Sequence, residues 1–142
     1  MSQENVDRLR AGYKAFDRSG EADVDFFASD FELQQDPSSI IDTAGVFRGK
    51  DAVRDVMREL EESFEELSQE TEGVIEAPGG EIVVLIHIRG RGRGSRVEVD
   101  NHIAHVWTLR EDKAVRMVVY EEQVEALEAV GLSEQDAHSD SP

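Results

Sequence analysis

The chain predicts an α+β fold: helices gather in the first half, strands fill the second, and the helices pack on one side of an antiparallel sheet. Three observations carry this prediction. Residues 2–19 and 50–67 place apolar side chains at helical spacing. From residue 81 onward, apolar and polar residues alternate with period two. The turns at Pro78-Gly79-Gly80 and Glu111-Asp112-Lys113 are short, as a meander of strands requires. With 142 residues there is enough chain for one domain with a real core. Residues 1–132 read as that single domain, and 133–142 as a flexible acidic tail.

The first helix, 2–19, aligns Val6, Leu9, Tyr13 and Phe16 on one face, with Ser2 placed to cap its start and Gly20 to end it. A short second helix is expected at 23–27, then a strand at 31–35 that Asp36-Pro37 stops, because proline cannot donate to a ladder. Residues 38–49 read as a loop folded over something apolar, since they contain Ile40, Ile41, Val46 and Phe47. The third helix, 50–67, carries Val53, Val56, Leu60, Phe64 and Leu67 on one stripe, with Glu59, Glu61, Glu62, Glu65 and Glu66 on a solvated face. Residues 73–77 form a weak strand. Residues 81–89 form a strong one, with Ile82, Val84, Ile86 and Ile88 on one side. The Arg/Gly run at 89–96 has no aromatic to stack on bases, so it reads as a hairpin connection whose glycines supply positive φ. A last strand at 114–122 and a short helix at 122–130 finish the domain, with Val124, Leu127 and Val130 inward and Gly131 behind.

One strand is too polar for its place. Between residues 97 and 109, alternation sets Asn101, Ile103, His105, Trp107 and Leu109 on one side, and His102, Ala104, Val106 and Thr108 on the other. An imidazole between Ile103 and Trp107 is costly to bury unless it has a partner or a task. His87 and His102 fall on the outer face and read as surface or dimer-interface residues.

Composition excludes several classes. The net charge of −17 repels phosphates and anionic membrane surfaces, so neither nucleic acid nor membrane is an expected partner. Only three of the 15 basic residues are lysine, which fits either a high-salt cytoplasm or ordinary solubility charge. The absence of cysteine removes disulfides, thiol nucleophiles and thiolate metal sites. The N-terminus lacks the basic and apolar regions of a signal peptide, and no apolar run approaches the roughly 20 residues that span a bilayer. A cytoplasmic protein is expected. No cofactor is expected, and no metal, because His102 and His105 project to opposite faces of their strand and the histidines lack close ligand spacing.

Four segments, in this order, carry a family resemblance: Tyr13-Lys14-Ala15-Phe16 before Gly20, Phe47-Arg48-Gly49-Lys50-Asp51-Ala52-Val53, His105-Val106-Trp107-Thr108-Leu109 before the Asp112-Lys113 turn, and Glu125-Ala126-Leu127-Glu128-Ala129-Val130-Gly131-Leu132. The chain resembles the nuclear-transport-factor-2-like superfamily, within it the SnoaL-like polyketide cyclase and ketosteroid isomerase branch, over about residues 5–133. The resemblance implies a cone: a strongly bent antiparallel sheet wrapped around N-terminal helices and enclosing a pocket. It also implies a homodimer through the sheet.

In ketosteroid isomerase an Asp serves as base, and a Tyr and a protonated Asp serve as oxyanion donors. By resemblance, the tyrosine falls on Tyr13 and the base on Asp36, while the protonated Asp is replaced by His105. Strict alternation turns Asp36 outward if Phe31 and Leu33 face the core, unless a bulge intervenes. Histidine also changes the protonation logic, because a neutral imidazole can donate one hydrogen bond or act as a base itself. Each residue has a plainer reading: a core tyrosine, an Asp-Pro turn and a satisfied core histidine. Phe27, Phe47, Ile103, Trp107 and Met117 would line the pocket, with Glu121 toward its mouth.

Two functions remain open. One is a small-molecule pocket protein working as a cofactor-free isomerase, cyclase or dehydratase by acid–base chemistry next to a carbonyl, on an apolar or cyclic ligand. The alternative is a non-catalytic ligand-binding or protein-interaction module of the same fold.

Overall fold

A computed structural model describes residues 2–19, 24–35 and 46–133. Helix α1 (Ser2–Ser19) leads through a 3-10 turn (Val24–Phe26) into strand β1 (Phe27–Gln35) and the short β2 (Val46–Arg48). Helix α2 (Ala52–Ser63) follows, then β3 (Phe64–Glu76), β4 (Ile82–Gly92), β5 (Glu98–Arg110), β6 (Lys113–Tyr120) and helix α3 (Gln123–Ala129). The strands form one curved, unclosed sheet in the order β2-β1-β6-β5-β4-β3. Every pairing is antiparallel except β1 with β6, which is parallel; β2, α2 and β3–β5 lie between these two strands in the chain.

The inner face holds the main core. Val6, Leu9 and Tyr13 of α1 and Val56 and Leu60 of α2 meet Phe31, Leu33, Ile82, Val84, Ile86, Ile103, Trp107 and Met117. The outer face holds a second cluster, where Ala126 and Leu127 of α3 cover Ile75, Val83, Leu85, Ala104 and Val106. Helices therefore pack on both faces, not on one. Helix α3 ends at Gly131, whose φ of 83° the missing Cβ allows. The amides of Gly131 and Leu132 close back on the carbonyls of Glu128 and Leu127 at 3.1 and 2.8 Å.

Several local expectations give way to tertiary pairing. The predicted helix over 50–67 stops at Ser63, and Phe64 is already extended at φ −130°, ψ 144°. From there the 13-residue β3 ladders against β4, starting with Phe64 opposite Gly92 and interrupted at Glu66-Leu67 and at Glu72. Glu66 is solvated as predicted, but on a strand, 3.5 Å from Arg91. The ladder bonds to β4 outweigh the modest helix preference of Glu and Leu. Strand β1 starts at Phe27, earlier than predicted, and the segment read as a loop includes β2. Val124, expected inward, is 39% exposed. In the arginine–glycine connection the residue at positive φ is Arg96, at 60°, not a glycine. Gly90 and Gly92 serve close approach instead: a Cβ on them would meet the Leu67 side chain at 3.0 Å and Ser95 Oγ at 2.5 Å.

Asp36, the rest of the 38–45 loop, Gly20 and the tail from residue 134 lie outside the described residues.

Candidate functional site

The site begins with the register of β5. His105 stands between Val84 of β4 and Val119 of β6, and Trp107 between Ile82 and Met117. This puts both rings on the inner face, under α1. Four aromatic rings fix Trp107: Phe27 and Phe31 stack on it at 6.0 and 6.1 Å, Phe26 tilts against it, and Tyr13 meets it edge-on at 6.2 Å. Its Nε1–H donates to Tyr13 Oη at 2.9 Å. Tyr13 Oη lies 2.6 Å from His105 Nδ1.

The hydrogen assignments follow from chemistry. Indole N–H can only donate. Burial pushes the Tyr13 phenol well above its ordinary range, against the pull of the Trp107 hydrogen bond and with a small push from the Asp17 charge. The phenol is therefore protonated, accepts from Trp107, and gives its own hydrogen to Nδ1. Burial among apolar neighbours also lowers the His105 pKa, from 6.5 to about 4, so the ring is neutral at pH 7. A neutral ring that accepts at Nδ1 carries its hydrogen on Nε2. Among the described residues nothing bonds that nitrogen.

His105 lines a cavity of about 320 Å³, together with Leu9, Gly12, Tyr13 and Phe16 of α1 and with Phe26, Phe27, Gln69, Trp107 and Met117. That volume is at the small end for ligand sites. Phe26 and Phe27 narrow the space without filling it. Arg8 sits at its edge, with its guanidinium carbon 4.7 Å from the Phe26 ring centre and Nη1 donating to the Asp112 carbonyl at 3.1 Å.

The fold thus brings Tyr13, His105, Trp107, Phe27 and Met117 to one wall. Ile103 is buried in the main core beside the cavity but does not line it, and Phe47 packs half-buried against that core. Glu121 is half-buried and off the cavity wall. Gln69 and Arg8 belong to the lining and were missed by sequence reasoning. Gln69 lies between a helix and a strand drawn too short, and only its place opposite Ile88 reveals its inward face.

A curved, unclosed mixed sheet with α1 against its inner face, and polar groups buried between them, is the cone-type fold of the nuclear-transport-factor-2-like class. The SnoaL-like domain family matches residues 7–117, and the chain belongs to that family. Solved structures agree on the fold. An NTF2-like protein of unknown function from Burkholderia pseudomallei is 22% identical, with 89% of this chain and 97% of that one covered and a TM-score of 0.67. A putative SnoaL-like polyketide cyclase from Jannaschia is 18% identical, covering 75% and 74%, at 0.55. TerC, co-crystallised with polyporic acid, is 18% identical, covering 89% and 97%, at 0.65. A search of curated proteins finds no match. Among the described residues no helix is long and apolar enough to cross a membrane.

Proposed function

We propose that this protein binds a small, largely apolar molecule bearing a carbonyl or enol oxygen, and that His105 Nε2–H donates to that oxygen. The observation that carries this reading is the directed chain Trp107 to Tyr13 to His105 at the wall of an otherwise apolar cavity. Each donor is used in turn, and the last is left for a ligand. A buried neutral imidazole is suited to polarising a carbonyl, because it donates without a proton being taken up first. Tyr13 then acts through His105 and not directly on the oxygen. The reaction class is cofactor-free isomerisation, cyclisation or dehydration next to the carbonyl, with Asp36 as candidate base. That TerC was crystallised with polyporic acid supports a cyclic ligand. A homodimer and a cytoplasmic setting are part of the same proposal; sedimentation at twice the chain mass tests the first.

One observation favours the non-catalytic alternative. Among the described lining residues there is no carboxylate to take a proton from carbon. A thermal-shift screen of cyclic ketones and quinones tests binding, because a ligand specific to the folded state raises Tm. His105→Ala should weaken a hit by about 3–10-fold, the worth of one neutral hydrogen bond. Equal binding by wild type and variant overturns the role of His105. Exchange of the ligand's α-proton in deuterated water, followed by NMR, separates catalyst from binder: exchange lost in Asp36→Asn supports the enzyme, and no exchange supports the binding module.

A further inference from the structure

A second site lies on the opposite face of the sheet. His87 of β4 and His102 of β5 are direct cross-strand partners, so their rings share the outer face. The rings stack with centroids 4.2 Å apart. Glu72 of β3 is the extra residue of a bulge between Thr71 and Gly73, and both its carboxylate oxygens lie 3.0 Å from His102 Nδ1. One potential ligand atom from each of Glu72, His87 and His102 falls within 4.8 Å of the other two.

We propose that Glu72, His87 and His102 bind one divalent zinc-type ion on the outer face of the sheet. Two imidazole nitrogens and one carboxylate are a donor set that zinc and its borderline neighbours accept, with a fourth position left to water. Oxygen-seeking magnesium has too few hard ligands here. Tetrahedral ligands at about 2.0–2.1 Å stand roughly 3.3 Å apart, so the cluster closes by small side-chain rotations. His102 is free to make them, being 54% exposed.

The surroundings of the three residues match those of a metal site. Asp100 lies 2.5 Å from His87 Nε2 and orients the ring; in the tautomer with its hydrogen on Nε2, Nδ1 keeps its lone pair, with Arg89 Nη2 3.5 Å away. Gln123, at the start of α3, donates to Glu72 Oε1 at 2.9 Å and to the Ile103 carbonyl at 3.2 Å, so it holds the carboxylate in place. Among the described residues Arg89 is the cation at the site, with Nε 3.3 Å from His87 Nε2 and Nη2 3.5 Å from His87 Nδ1. It is exposed and lies 3.8 Å from Asp100, toward which it can turn when a metal enters.

The test is calorimetric titration of the metal-stripped full chain with zinc, and with magnesium in parallel. One zinc per chain is expected, with no magnesium uptake and a Tm that rises with zinc. Glu72→Gln and His102→Ala should each weaken zinc by at least about 100-fold. Asp100→Asn, behind the ligands, should weaken it by about 10–100-fold. His138→Ala, in the tail, should leave it unchanged. His102→Ala removes an exposed ring and keeps the fold, which circular dichroism checks. Zinc binding that survives the double variant His87→Ala/His102→Ala overturns the site, as does no zinc uptake by the wild type.

Discussion

Lowering the pH should cost this protein stability through His105, and the loss can be isolated. Burial between Val84 and Val119 moves the imidazole from 6.5 to about 4 because the charged form is penalised there. Between those values the unfolded chain binds a proton that the folded chain refuses. The stability owed to a neutral His105 is therefore complete above about pH 6.5 and drains away as the pH falls toward 4. At 1.36 kcal/mol per pH unit the whole displacement is worth roughly 3 kcal/mol. Water reaching the cavity-facing edge of the ring trims that to about 2–3 kcal/mol. Carboxylates titrate in the same window, so the useful quantity is the difference between wild type and His105→Leu, which keeps the others. Denaturant unfolding at pH 7.5 and at 5.25 stays above the sequence pI of about 4.5, near which solubility is lowest. Over that interval wild type should lose about 1–2 kcal/mol more than the variant, at constant m. A difference that does not change with pH, or that changes in the opposite sense, would refute the buried neutral imidazole and the donor role built on it.

Tyr13→Phe should destabilise by about 2–4 kcal/mol, because it strands a fully used Trp107 N–H and His105 Nδ1 with little change in volume; the urea midpoint at unchanged m reads this. Leu127→Ala should cost about 2–5 kcal/mol by opening a cavity under α3, where Leu127 is 1% exposed, and thermal unfolding followed by far-UV circular dichroism measures it. Gly131→Ala should cost about 1 kcal/mol, since alanine must adopt φ 83°, and a normal loss-free midpoint would show that the cap at α3 contributes nothing.

Helix α1, the strong β4, the polar β5 and the tight turn before β6 were all legible in the chain, because each has an unbroken period and a local stop signal. So was the alternation that sets His105 and Trp107 on one face and His102 on the other. Residues 64–67 misled because their Glu and Leu choices suit a helix locally, while the decisive partner, β4, is reached only through the ladder; the weak strand read at 73–77 is the far end of β3. Sequence spacing also concealed the outer cluster: Glu72, His87 and His102 are far apart along the chain, and only strand register makes them neighbours.

Side-chain periodicity is a local property, so the sequence alone determined the α+β class and the inward face of β5, while the family resemblance brought Tyr13 and His105 together as candidates. Which hydrogen each carries, which nitrogen is left over, and how large a hollow remains depend on groups distant in sequence. Trp107 had to be clamped by Phe27 and Phe31 before its N–H could point at the phenol, and the phenol had to be buried before it could hand its hydrogen to the imidazole. Those are effects of packing and exclusion of water, and only the tertiary structure decided them.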